Sequence, residues 1–306
     1  MAYSSDELVK LIHDSKALSI WDRQRGPVFW YIAGVPGPFY INTEIMIGAE
    51  LAAKLLEGIN ATLAETKIPA ERAAKLEKFI LPAYDGNPVY KNIIATMAAE
   101  AERQFGKNAY DFVSGGERRD WLFSIPLARL TGLRHAFLFK DLTIHCTAPL
   151  KPGEKALHVA DLINNAASYF DLWFPALEKA GLKCAGTLCV ISRGAAGVDR
   201  LKAAGQKPVA LKAIDLDFFR QSQVNGLISR DTYDEIATHF ASPREWAVKY
   251  LIDRPALFDA THIDKKSFER LQSFIAKDPW NLRDEHEGFF KEMRAQIDAR
   301  LKRDAA

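Results

Sequence analysis

Between Tyr110 and Ile214, short apolar runs alternate with helical stretches, and each full helical stretch stops at a glycine. Tyr110–Ser114, Ala136–Phe139, Lys155–Val159, Cys184–Ile191 and Val209–Ile214 read as strands. Ile125–Thr131, Asn164–Ala180 and Val198–Ala204 read as helices closed by Gly132, Gly181 and Gly205. A glycine just past a helix tolerates the left-handed conformation of the terminal turn. Strands separated by helices of this length pair in parallel, because the helix carries the chain back across the sheet. The expected fold class is therefore α/β, a parallel sheet flanked by helices. Four helices are expected before it, over 6–18, 43–63, 70–81 and 92–105. After Asp215 the pattern turns helical. Ser242-Pro243-Arg244-Glu245 reads as a helix start, and Phe268, Leu271, Ile275 and Phe289, Met293, Ile297, Leu301 form apolar stripes. The expected division is a domain over 1–215 and a C-terminal helical extension over 216–306.

With 41 Lys+Arg against 39 Asp+Glu, the chain has no general charge drawing it to nucleic acid or an anionic membrane. The aromatic stretch 29–41 is broken by Gly34, Pro36, Gly37 and Pro38, so it cannot cross a bilayer as a helix. Cys146, Cys184 and Cys189 cannot all pair and form no Cys-x-x-Cys, which points to a reducing compartment. With a polar first ten residues, the expected location is the cytoplasm. No nucleophile elbow, Walker A loop or Gly-x-Gly-x-x-Gly fingerprint is present.

The segment most suggestive of chemistry runs from Ala156 to Ser168. An apolar strand carries Asp161 to its carboxyl end, where α/β sheets bind ligands. A loop of short residues follows, Asn164-Asn165-Ala166-Ala167-Ser168, and a helix begins directly after it. Short side chains let backbone N–H groups approach a phosphate, and the helix start adds positive potential. The same pattern also reads as an ordinary strand-to-helix turn capped by Asn164 and Ser168. His158, on the strand, reads as a packing histidine, and Arg118-Arg119 reads equally as a solvated turn or an anion site.

This segment resembles the phosphoribosyl-pyrophosphate (PRPP) loop of type I phosphoribosyltransferases, and other motifs resemble the orotate branch of that family. Gly37-Pro38-Phe39-Tyr40-Ile41-Asn42 is similar to its N-terminal Ser-Pro-Tyr-Phe-x-Asn element, with a hood expected over 20–42. Phe112–Gly116 followed by Ile125-Pro126-Leu127-Ala128, Phe139–Cys146, and Ala180–Gly186 followed by Ser192-Arg193-Gly194 are similar to further segments in the same order. The chain departs from the family at several places, among them Ala166 where a loop glycine is expected. Ala160 stands where the first of two adjacent acids is expected, Thr143 at the mobile lysine, Phe139 at an arginine and Ile32 at a lysine. Residues 117–124 read as an insert.

The resemblance implies a phosphoribosyltransferase-like fold that transfers or binds the 5-phosphoribosyl group of a pyrimidine-type nucleotide, using PRPP and Mg²⁺, in a homodimer. It implies Lys140, His145 and Asp161 as catalytic residues. Asn164, Asn165, Ala166, Ala167 and Ser168 would hold phosphate, with Arg118 and Arg119 on pyrophosphate. Arg193, Phe39 and Tyr40 would contact the base, although Phe39 and Tyr40 read equally as core. Mg²⁺ would ride on the pyrophosphate, touching Asp161 if any side chain. The alternative is a non-catalytic nucleotide-binding or regulatory protein on the same fold, suggested by Ala160, Thr143 and Phe139.

Overall fold

The glycine-punctuated region folds into a six-stranded sheet in the computed structural model, which describes residues 2–23 and 26–305. From one edge to the other the strands are Pro208–Ile214, Lys183–Arg193, Lys155–Ile163, Phe112–Gly116, Arg134–Leu138 and Ile144–Cys146. All neighbours are parallel except the last pair. The three-residue strand Ile144–Cys146 is invisible to periodicity. It forms because a tight turn, with the Phe139 N–H on the Thr143 carbonyl at 3.0 Å, folds the chain back on 134–138.

Two expected boundaries differ for physical reasons. Gly115 and Gly116 lie inside the strand, which was expected to end at Ser114. A Cβ on Gly115 would fall 2.0 Å from Ser124 Oγ, and one on Gly116 would fall 2.3 Å from the Trp173 ring. The strand is pressed between its two flanking layers too closely for any side chain. Residues 117–124, read as an insert, are a turn and the first turn of helix Trp121–Thr131. Trp121, Leu122 and Phe123 are fully buried, which fixes the helix start ahead of Ile125. Pro126 has no N–H to give the Leu122 carbonyl; the Tyr90 hydroxyl donates to that carbonyl instead.

Ala156, Ala160, Phe112, Ala136 and Leu138 share one buried cluster with Tyr169, Trp173 and Leu177. Small strand residues leave room for the two large rings. Each ring hides ~200 Å² of surface, worth several kcal/mol at roughly 25 cal/mol per Å². Ala160 thus occupies a position where an acid would be buried in the core.

The described residues separate into two compact units, Met1–Ala17 with Asn42–Phe218, and Leu18–Ile41 with Phe219–Ala306. The sheet belongs to the first. Segment 20–42, expected as a hood on the sheet domain, keeps only Asn42 in the first unit and falls in the second as far as Ile41. There Leu18–Ile20 pairs antiparallel with Phe39–Ile41, and Phe29–Trp30 with Pro36–Gly37. Trp21, Val28 and Trp30 join one core with Trp246, Phe258, Phe274 and Phe290, from or near helices Pro243–Tyr250, Lys265–Lys277 and Glu287–Ala305. The Arg270 guanidinium donates to the Trp30 carbonyl at 2.7 Å. The Ser242 hydroxyl caps its helix as expected, accepting the Glu245 N–H at 3.2 Å. Among the described residues, no helix is long and apolar enough to cross a membrane.

Candidate functional site

The strand order has one switch point. From 112–116 the chain moves outward to 134–138. It then returns to 155–163 on the other side and continues away through 183–193 to 208–214. A crevice therefore opens at the carboxyl ends of 112–116 and 155–163, the place where open α/β sheets take ligands. The residues there come from the turn after Gly116 and from the end of the 155–163 strand.

Asp120 and Asp161 meet in this crevice. Asp120 sits at the N-terminus of helix Trp121–Thr131 and receives two backbone N–H groups, Gly116 at 3.1 Å and Asp161 at 3.2 Å. It thereby ties the first turn to the strand that carries Asp161. The Asp161 carboxylate accepts the Leu162 N–H at 2.7 Å. Burial, reinforced by the Asp161 charge, pushes Asp120 well above the usual carboxylate range. Burial also lifts Asp161 to about 6, opposed by Arg119 and helped by Glu44. Burial and the proximity of the two carboxyls thus favour the protonated form, and a carboxyl that keeps its proton can donate to a ligand hydroxyl.

Beneath the pair, His158 Nδ1 lies 3.0 Å from Ser114 Oγ, and Nε2 lies 3.8 Å from Asp120. Burial holds this ring neutral, its pKa down at about 3. It packs against the Tyr169 and Trp173 rings, as expected of a packing histidine, but Nε2 has no hydrogen-bond partner.

The loop after Asp161 turns sharply through a left-handed residue. Ala166 is left-handed at φ +58°, a conformation that costs an L residue ~1 kcal/mol. The Asn165 carboxamide oxygen accepts the Ala167 N–H at 3.0 Å and stabilises that bend. Asn164 and Ser168, expected caps, are exposed, and Ser168 makes no side-chain cap. Arg200 was not anticipated here. From helix Ala196–Ala203 it donates to the Asn165 carbonyl at 3.3 Å and lies over the Phe170 ring at 4.1 Å, so a cation stands beside the loop. Gly197 explains how that helix comes so close, since a Cβ there would lie 2.3 Å from the Asn164 carbonyl oxygen. Gly197→Ala is expected to displace the loop and cost roughly 1–3 kcal/mol of stability. Urea unfolding of the variant checks this; an unchanged midpoint would show that the loop yields to the added methyl at no cost.

The other anticipated residues scatter. Arg118 and Arg119 follow strand 112–116, next to Asp161's strand, and both are exposed. Arg118 bonds the Asn60 carboxamide, and Arg119 pairs with Glu44 at 3.2 Å. Lys140 is exposed after strand 134–138, two strands from Asp161's, with its backbone N–H on Glu117 at 3.3 Å. His145 is on the edge strand, its ring 6.4 Å from Phe137. Three strand spacings, roughly 14 Å, separate its strand from that of Asp161, so the sheet does not bring the two together. Arg193 ends the 183–193 strand, adjacent to 155–163. Phe39 is buried in the second unit, its ring 5.0 Å from Phe219 and stacked on Phe240. Tyr40 is half-buried with its ring 6.0 Å from Phe29. Among the described residues, no three His, Cys, Asp or Glu side chains are grouped to hold a metal.

No family model and no curated protein matches this sequence. Solved structures do match. UMP synthase of Leishmania donovani superposes with a TM-score of 0.53 at 13% identity, over 78% of this chain and 42% of that one. Orotate phosphoribosyltransferase of Aeropyrum pernix gives 0.47 at 12% identity, over 72% and 99%. That of Mycobacterium tuberculosis gives 0.42 at 12%, over 69% and 95%. The chain spans less than half the length of the UMP synthase it matches. Its fold is that of the type I phosphoribosyltransferases, an α/β fold with a mostly parallel six-stranded sheet.

Proposed function

We propose that the crevice at the switch point binds the 5-phosphoribosyl group of PRPP or of a pyrimidine-type nucleotide. One observation carries this: Asp161 and the left-handed turn at Ala166 lie five residues apart on one strand end, at the sheet edge where such folds take ligands. In this reading Asp161 accepts ribose hydroxyls, and the 164–168 loop with Arg200 receives the 5′-phosphate. Arg118, Arg119 and Lys140 face the pyrophosphate, and Arg193 the base. Among the described residues no three His, Cys, Asp or Glu side chains form a cage for a divalent ion. This fits Mg²⁺ held mainly by substrate phosphates, with Asp161 the nearest carboxylate. When bound, Mg²⁺ supplies neutralisation of the departing pyrophosphate.

A second reading, nucleotide binding without transfer, is favoured by the state of the cations. Arg119 is already paired with Glu44, Arg118 is bonded to Asn60, and Phe139 and Thr143 carry no charge. Each missing contact to a transition state commonly costs ~3 kcal/mol, about a hundredfold in rate.

Calorimetry of PRPP with and without Mg²⁺ tests the shared premise. Wild type is expected to bind in a Mg²⁺-dependent manner, and Asp161→Asn to bind at least ~30-fold more weakly, as for loss of a charged hydrogen bond. No binding at millimolar PRPP overturns both readings. Pyrophosphate release with any base of a broad panel decides for transfer; binding without release decides for the second.

A further inference from the structure

Two buried polar atoms under the carboxyl pair have no hydrogen-bond partner, His158 Nε2 and the Tyr169 hydroxyl. Neither residue is more than 3% exposed. Their rings meet edge to face, 5.2 Å apart at 75°. Asp120 stands beside both. Its carboxylate lies 3.8 Å from Nε2, beyond hydrogen-bond reach, and its charge acts on the Tyr169 hydroxyl. Burial above all, and after it the neighbouring Cys189, Asp120 and Asp161, keeps that hydroxyl protonated. A buried hydroxyl or ring nitrogen without a partner costs stability, and two of them on adjoining rings call for a second state in which they are met.

Tyr169 is also the residue from which the 164–168 loop hangs. Its backbone N–H donates to the Ala166 carbonyl at 3.2 Å and closes the left-handed turn. On its other side, the Phe174 N–H reaches back five residues to the Tyr169 carbonyl, a π turn wider than the α-helix that follows. Such turns are rare and collect at functional sites. A shift of the loop is therefore passed to the Tyr169 ring, which lies against His158.

We propose that Tyr169 is a positioning residue that latches the 164–168 loop around a phosphate: when the loop takes up the anion, the ring shifts and its hydroxyl closes a hydrogen bond with His158 Nε2. The proposal rests on the ribosyl-binding reading above and adds to it how the loop is held. The bond forms whichever nitrogen of His158 carries the proton, because a hydroxyl both donates and accepts. Ser114 Oγ, 3.0 Å from Nδ1, has the same freedom on the other side of the ring. The free protein bears two unmet atoms and the bound protein has them paired, so the hydroxyl opposes folding and favours binding.

Tyr169→Phe removes the hydroxyl and keeps the ring. It is expected to raise the urea midpoint of the free protein while binding ribose 5-phosphate about tenfold more weakly, the loss of one hydrogen bond. A side chain that serves packing alone moves both quantities in the same direction. His158→Asn, which keeps a polar atom for Ser114 and deletes Nε2, is expected to weaken ribose 5-phosphate by a similar factor. The double variant is expected to bind within about threefold of either single one, since both delete the same bond. The proposal is overturned if the midpoint of Tyr169→Phe fails to rise, the result when ordered water already meets the hydroxyl in the free protein. It is also overturned if the two losses multiply in the double variant. Ribose 5-phosphate bound equally by wild type and Tyr169→Phe sinks this proposal and spares the ribosyl reading. No binding of ribose 5-phosphate or PRPP by wild type overturns both.

Discussion

Gly116→Ala is expected to lower the unfolding free energy by at least ~3 kcal/mol, a large share of a typical domain's stability. Gly116 ends the strand that borders the crevice, and the added methyl would lie 2.3 Å from the Trp173 ring. Trp173 is 3% exposed, tilted over His158 and held in the helical turn Tyr169–Trp173, so the ring has no open space to enter. Either the strand bows away, loosening the Gly116 N–H from Asp120, or the indole is expelled and its burial is lost. Both routes disturb the carboxyl pair as well as the core. Gly288→Ala, with nothing within 4 Å of the new methyl, is the matched control and is expected to be neutral or to stabilise helix Glu287–Ala305 by up to ~1 kcal/mol. Urea unfolding of the two variants checks the pair of expectations. Equal midpoints would mean that the layer over Gly116 is looser than its packing indicates.

That glycine also shows where sequence reading stops. Strands and helix ends between 110 and 214 were legible because periodicity and terminal glycines are local signals. Gly115-Gly116 fell outside the expected strand for the same reason. Their real requirement, closeness of Ser124 on one side and Trp173 on the other, is set by layers that sequence does not display. Asp161 and its loop were legible because strand end, short residues and helix start are contiguous. Asp120 was not: it joins Asp161 only because 112–116 and 155–163 pair in the sheet, across 41 residues. Glu44 and Arg119 are separated in the same way. His145 illustrates the converse. It falls in a matched motif, but strand order, not motif order, sets distance, and its strand lies at the far edge. The aromatic 29–41 stretch was read as a hood, yet Trp30 and Phe39 are core residues of the unit that contains the C-terminal helices.

Buried titratable groups make the second large expectation one of pH. Burial depresses both His135 and His158 from 6.5 to about 3. A histidine with a depressed folded pKa binds fewer protons folded than unfolded. It therefore removes stability as pH falls below 6.5, until the folded value is reached. At pH 5 each contributes a loss on the order of 2 kcal/mol, together about 4. Asp120 and Asp161 act with the opposite sign. Their folded pKa values are raised, so the stability they contribute is fully present below the ordinary carboxylate value and is lost as pH rises through the folded one. Between pH 7 and 5 the aspartates therefore offset part of what the histidines remove, and the wild-type profile is expected to be shallower than the histidines alone would make it. Below pH 4 the unfolded aspartates also protonate, their gain ends, and the histidine loss continues alone, so the profile steepens there.

The histidine contribution can be isolated without emptying the core. His135→Gln retains a polar group near Nε2, which faces Ser124 Oγ at 2.9 Å, and His158→Asn retains one near Nδ1, which faces Ser114 Oγ. In the double variant the aspartate term stands unopposed. Its stability relative to wild type is expected to rise by on the order of 4 kcal/mol on going from pH 7.5 to pH 5, whatever its absolute value at pH 7.5. Urea midpoints across that range measure the difference. A relative stability that stays constant with pH would show that both imidazoles can be protonated in place, and that the chamber under Asp120 admits water and charge.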